Sequence, residues 1–402
     1  MEENTSKQQM GGITFRILVA LGVTHCMNDA LQSVLSASYP IIKDDLSLTF
    51  HQIGYIIFVY QMAASVFQPL IGYFFDKHPS VWSLPVGMAF TLSGLLSVAF
   101  AHTLPLMMVS VFLIGVGSST FHPEASRLTS IASGGRRGLA QSLFQVGGNF
   151  GGAMGPLLVA LLVAPYSRSH IGYFSILAFV GIVVMMFISM WYKRRLQLMK
   201  GMVSTSDGSN RLPVSLGKTI FSIVILMFLI FSKYIYMASL SNYYTFYLIE
   251  KFDVTVQSSQ LMLFIFLIAT AIGTMIGGPL GDRIGRKYVI WISILGAAPF
   301  ALLMPHANLF WTGVLSFCTG LMLSSAFPAI LVYAQELLPY KLGLVSGLFF
   351  GFAFGVAGIA AAILGKMADI HGIEAVYNFC AYTPLLGLIT WFLPNLKKKH
   401  VH

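Results

Sequence analysis

The chain is a succession of apolar runs, each about twenty residues or longer, separated mostly by polar connections of a few residues. A run of that length is what an α-helix needs to cross a hydrocarbon layer ~30 Å thick, whereas strands of a membrane barrel alternate over about ten residues. Twelve spans are predicted, at roughly 15–39, 51–74, 82–102, 104–126, 138–163, 170–192, 219–248, 258–280, 288–305, 309–335, 342–366 and 374–393. Charged residues are 9% of the chain, against about 25% in soluble domains. A water-soluble core is excluded, and the expected class is an all-α integral membrane protein.

A net charge of +10 would suit nucleic acid or acidic lipid, but its distribution is topological. With the amino terminus inside, nineteen Lys and Arg fall on the cytoplasmic side. Four (Lys43, Arg168, Lys251, Lys366) fall on the other, and Lys233 stays within a span. Basic residues gather in cytoplasmic loops, so both termini are expected there and no nucleic-acid partner is implied. The polar start MEENTSKQQMGG runs into an apolar segment too long for a signal peptide, which is read as a retained first span. Cys26, Cys318 and Cys380 are widely spaced in apolar segments and suggest neither disulfides nor a metal site.

Two cytoplasmic connections share a pattern. GGPLGDRIGRKY (Gly277 to Tyr288) has a weaker copy, GYFFDKHP (Gly72 to Pro79), and Asp282 lies 206 positions after Asp76. The same offset relates Ser118-Ser119-Thr120-Phe121 to Ser324-Ser325-Ala326-Phe327, and an offset of 205 relates Gly138-Leu139 to Gly343-Leu344. The expected organisation is two parallel six-helix repeats, residues 1–192 and 219–402, joined by the basic cytoplasmic linker 193–218.

Ionisable groups inside spans are costly and mark functional faces. His25, Asn28, Asp29, Gln32 and Ser36 share one face of the first span at about 100° per residue. Asp29 is the candidate proton-binding carboxylate and His25 its neighbour one turn away; the alternative is a satisfied structural pair. His122 in span four is a second proton candidate, because imidazole changes charge near neutral pH. Glu124 and Arg127, three residues apart, suit a structural or gating pair as well as substrate contact, and Glu124 is a further coupling candidate. In span seven, Lys233, Tyr236, Tyr243, Tyr244 and Tyr247 share a face that would suit an anion or a π-rich molecule, or would let Lys233 neutralise Asp29. Gln141, Gln145 and Asn149 recur every four residues in span five and are read as ligand contacts, with the glycines beside them read as packing. No P-loop pattern is present, so nucleotide-driven transport is disfavoured. Neither a cofactor nor a metal is expected.

GGPLGDRIGRK carries every defined position of the cytoplasmic loop signature Gly-x-x-x-Asp-Arg-x-Gly-Arg-Lys, with Gly278, Asp282, Arg283, Gly285, Arg286 and Lys287 in place. The chain therefore resembles the major facilitator superfamily. FHPEASR, SGGRRGLAQSLFQVGGNFG and FSKYIYMASLSNYYTFYL resemble antibiotic-exporting members of it. The resemblance implies the major facilitator fold, twelve transmembrane helices in two pseudo-symmetric six-helix bundles, and no enzymatic activity. It further implies a monomeric multi-pass protein of the bacterial inner membrane exporting a small anionic phosphonate antibiotic by proton antiport and alternating access. Drug, protons and lipid would be its partners. It also implies that Asp282 latches the start of span eleven and nearby arginines on the cytoplasmic side, with Asp76 and Lys77 forming a weaker or differently built counterpart. Leu113 stands where drug–proton antiporters carry an arginine, and Leu158 and Val159 replace a glycine pair of their fifth span, so coupling is expected to use other residues. The alternative is an importer or uniporter of an endogenous organic anion.

Overall fold

The computed structural model describes residues 14–48, 50–163, 165–203, 214–254 and 256–394. Every regular element among them is helical. The α-helices are α1 (Phe15–Ala37), α2 (Tyr39–Asp45), α3 (Phe50–Lys77), α4 (Ser83–Phe100), α5 (Leu104–Ala132), α6 (Arg137–Leu162) and α7 (Phe174–Val203). They continue with α8 (Leu216–Phe252), α9 (Val256–Ile284), α10 (Arg286–Leu303), α11 (Leu309–Leu337), α12 (Leu342–His371) and α13 (Ile373–Cys380). Short 3₁₀ helices cover Arg168–Tyr173, Met304–His306 and Thr383–Phe392.

Local chemistry explains several boundaries. Thr103 accepts the Leu106 N–H at the start of α5, and Asn308 accepts the Trp311 N–H at the start of α11, satisfying donors that a helix start leaves unpaired. Gly285 alone separates α9 from α10, at φ 104°. A side chain would be strained there, which accounts for the glycine inside the charged motif. Nine helices among the described residues are long and apolar enough to cross a membrane. The three other predicted spans differ for visible reasons. α1 and α6 carry the polar faces noted above. The last span, predicted as one run over 374–393, is α13 followed by the 3₁₀ helix Thr383–Phe392, with Pro384 at the second 3₁₀ position. The segment 193–203, predicted as linker, continues α7, and 204–213 lies outside the described residues.

The chain forms two compact units, Met1–Ser209 with Tyr340–Gly355, and Asn210–Pro339 with Val356–His402. The first half of α12 therefore groups with the first unit. In that unit α1 packs along α6, α5 packs against α3 and α4, and α4 packs against α7. In the second, α11 packs against α9 and α10, and the 3₁₀ helix Thr383–Phe392 against α8 and α10. Large apolar side chains such as Phe58, Phe179, Phe228 and Phe310 are exposed, as lipid-facing positions require. Trp82, Trp291, Trp311 and Trp391 are exposed as well, three of them within a few residues of a helix end, where interfacial aromatics sit.

Candidate functional site

The first unit brings together Asp29 and His25 of α1 and His122 of α5. Asp29 Oδ2 lies 3.2 Å from His25 Nε2 and Asp29 Oδ1 lies 3.3 Å from His122 Nε2. The three ligand atoms fall within 4.8 Å of one another, near enough to share one small cation. The rings are anchored on their far sides. His25 Nδ1 is 2.7 Å from the Phe144 carbonyl, and His122 Nδ1 is 2.9 Å from the Ser118 carbonyl. A carbonyl oxygen only accepts, so both Nδ1 atoms carry hydrogen and both Nε2 atoms address the carboxylate.

Both imidazoles are buried, and the Asp29 side chain is 22% exposed. His25 stacks on Phe144 with ring centres 3.9 Å apart, while Phe350 and Phe354 lie 5.3 and 5.2 Å from His122. The site is therefore an anion and two titratable rings in an aromatic jacket. Several buried polar atoms of this unit have no hydrogen-bond partner among the described residues: Asn28 Oδ1, Gln32 Nε2, Gln141 Oε1 and Gln145 Oε1. Gly148 of α6 faces the site from the opposite helix. A Cβ there would lie 2.5 Å from His25 Cε1 and Nε2 and 2.8 Å from Asp29 Oδ2. The glycine pair 147–148 was expected to serve packing alone; its second member also clears room for the carboxylate.

The amides of α6 separate into three environments. Gln141 ties α6 to α5 through its Nε2, which donates to the Ser126 carbonyl (2.8 Å), the Ser126 hydroxyl (3.0 Å) and the Ser130 hydroxyl (3.2 Å). Its Oε1 and that of Gln145 are both buried without a hydrogen-bond partner among the described residues, and Asn149 is exposed. On α1, Gln32 accepts the Tyr60 hydroxyl at 2.7 Å.

In the second unit, Lys233 of α8 is buried with its ammonium 4.9 Å from the centre of the Tyr234 ring and 5.0 Å from that of Phe327. No carboxylate pairs with it among the described residues. The tyrosines expected beside it are engaged elsewhere. Tyr236 contacts Met304 Sδ, Tyr247 donates to the Met304 carbonyl at 3.4 Å and stacks on Tyr377 at 4.0 Å, and Tyr243 packs against the same core. The periodicity located one helical face correctly, but neighbouring helices of the unit cover its tyrosines. Tyr234, off the predicted stripe, and Phe327 of α11 are the rings on the lysine; no sequence signal distinguished them.

The acids of the two repeated charged motifs take different partners. The start of α12 is capped by Asp76, whose two carboxylate oxygens accept the Gly343 and Leu344 N–H groups at 2.8 Å each. Asp282, expected to meet nearby arginines as well as a helix start, pairs with Arg286 at 2.5 Å, and Arg286 also reaches Glu336 at 3.4 Å. Gly278 is buried in α9, Arg283 is exposed, and the Lys77 ammonium lies 4.5 Å from the Tyr73 ring centre. Glu124 does not join Asp29. Arg127 donates to it through Nε (2.8 Å) and Nη2 (2.7 Å), and Nη2 also donates to the Tyr192 hydroxyl at 2.6 Å.

Comparison with known proteins places this geometry. A family model described as Major Facilitator Superfamily matches residues 21–246 and 223–402. The fosmidomycin resistance protein of Escherichia coli (strain K12) is 53% identical over 386 residues, covering 96% of this chain and 94% of that protein. An uncharacterized MFS-type transporter, YfnC, of Bacillus subtilis (strain 168) is 40% identical over 97% of this chain and 96% of its own length. Among solved structures, the transporter FucP in the outward conformation superposes with a TM-score of 0.73 at 15% identity, over 96% of this chain and all of that one. The proton:xylose symporter XylE bound to 6-bromo-6-deoxy-D-glucose gives 0.73 at 13% identity, over 95% and 96% of the two chains. At such identities these two likenesses establish the fold alone. By its sequence relatives and its helical architecture, the chain belongs to the major facilitator superfamily of membrane transporters.

Proposed function

We propose that this transporter exports a small anionic phosphonate antibiotic of the fosmidomycin type by proton antiport, as a monomer in a bacterial inner membrane with both termini cytoplasmic. The observation that carries the coupling is the Asp29 carboxylate held between two imidazoles whose far nitrogens are tied to backbone carbonyls. Such a carboxylate–imidazole cluster takes up or gives up protons with little rearrangement, because its members are already oriented. The substrate class follows from the 53% identical relative named for fosmidomycin resistance and suits a buried ammonium without a carboxylate partner. An anion reaching Lys233 gains a charge-assisted hydrogen bond where water competes poorly. Gln32, Gln141, Gln145 and Asn149 are the candidates for polar ligand contact. Asp76, Arg127 and the motif around Asp282 serve opening and closing.

The test uses purified protein in vesicles with an imposed pH gradient. Antiport drives fosmidomycin into vesicles whose lumen is acidic relative to the bath, whereas import by proton symport drives it into vesicles whose lumen is alkaline. Asp29→Asn keeps the shape and removes the charge; it is expected to abolish gradient-driven accumulation while drug-for-drug exchange continues. Accumulation in the variant equal to that of the parent would rule out Asp29 as the coupling residue.

A further inference from the structure

The hydrogen-bond roles around Asp29 define more than one place for a proton. A neutral imidazole has one N–H and one lone-pair nitrogen. In both rings the N–H is committed at Nδ1, to Phe144 O for His25 and to Ser118 O for His122. Each Nε2 then offers the carboxylate either a lone pair or, once protonated, a hydrogen. Two lone pairs 3.2 and 3.3 Å from the oxygens of an anion would repel it. A hydrogen in each gap converts both contacts into charge-assisted bonds. The gaps use different carboxylate oxygens, Oδ2 for His25 and Oδ1 for His122, so one proton cannot serve both.

We infer that the coupling site binds two protons, one at Nε2 of each imidazole, and that transport exchanges two protons for each drug molecule. This rests on the reading of Asp29 and its imidazoles as the coupling site. The chemistry balances simply. Each neutral ring gains one proton at Nε2 from the outer aqueous phase and returns it to the cytoplasm, while Asp29 stays ionised and both Nδ1 hydrogens stay in place. The site thereby swings from a net charge of −1 to +1.

The surroundings support separate occupancy of the two gaps. His122 Nε2 is buried with Asp29 Oδ1 3.3 Å away, and Gly148 leaves the His25 side open where any Cβ would fill it. Other ionisable groups within electrostatic reach of Asp29 are Cys26 on α1 and Tyr60 on α3. Asn28 Nδ2 donates to Asp29 Oδ1 at 3.0 Å and carries no charge. From α6 the neighbours are Phe144 and Gly148, and from the first half of α12 they are Phe350 and Phe354, none ionisable.

Two measurements test the stoichiometry. In vesicles with the membrane potential clamped at zero, a tenfold proton gradient should hold a hundredfold gradient of fosmidomycin, counted in one ionic form. A glutamine amide can stand in for a permanently protonated Nε2, so His25→Gln and His122→Gln should each reduce this to tenfold. A tenfold parent gradient would overturn the two-proton inference and leave proton coupling intact. No gradient in the parent would overturn the coupling itself. Proton release on drug binding, followed in weakly buffered detergent solution, needs no turnover and covers variants that bind without transporting. Two protons per drug in the parent and one in each variant are expected, and equal release in all three would refute the assignment.

Discussion

Asp29 and His25 sit one turn apart on α1, and that relation is legible from spacing alone because it lies within one helix. The approach of His122 is not, because it depends on how α5 packs beside α1, and no local periodicity encodes that. The same limit explains the tyrosines of α8. Their shared face was real, but Met304 and Tyr377 cover it from within the second unit. Gly148 offers the sharpest residue-scale prediction. Adding one methyl forces the His25 ring or the Asp29 carboxylate to move, because the ring is held between the Phe144 carbonyl and the Phe144 side chain. Gly148→Ala should lower proton-coupled transport by about tenfold or more, with overpacking costing roughly 1–3 kcal/mol. Gly152→Ala, where a Cβ meets nothing within 4 Å, should transport like the parent. Equal rates for both variants in vesicle assays would show that the clearance at position 148 is irrelevant. Lys233→Gln removes a charge-assisted contact worth about 1.5–3 kcal/mol. Fosmidomycin affinity measured by calorimetry should fall by one to two orders of magnitude.

Among the helices, α12 begins where Asp76 places both carboxylate oxygens on its first N–H groups, with charge complementing the positive end of the helix dipole. The repeated motif showed in advance that each half carries such an acid. It did not show which helix start the amino-terminal acid meets, since that is a tertiary contact between segments 267 residues apart. Asp76→Ala should cost about 0.5–2 kcal/mol, the usual value of a lost cap. Asp76→Asn should cost less, because one acceptor oxygen remains. Thermal unfolding of the two purified variants beside the parent reads the order directly, and an alanine variant as stable as the parent would contradict the cap. The last predicted span shows the opposite limit. Its apolar length was read as one span, yet α13 and the 3₁₀ helix Thr383–Phe392 are separated at Ala381 and Tyr382 beside Pro384, a break that hydropathy does not resolve.

For the whole molecule, helical class and duplicated plan followed from run length, charge asymmetry and one repeated offset, all properties that accumulate along the chain. What stayed hidden was how short segments distribute between the units, above all that 340–355 groups with the first. The exposed tryptophans carry a practical corollary. Four of the five tryptophans, Trp82, Trp291, Trp311 and Trp391, are exposed, and the fifth, Trp191 on α7, is partly buried. Native ultraviolet emission should therefore report mainly the surrounding acyl chains. Brominated lipid should quench much of it, and saturating fosmidomycin should leave its intensity nearly unchanged. Replacing Tyr234 with tryptophan would put an indole against the buried ammonium and give the protein an optical signal for occupancy that its natural fluorophores lack.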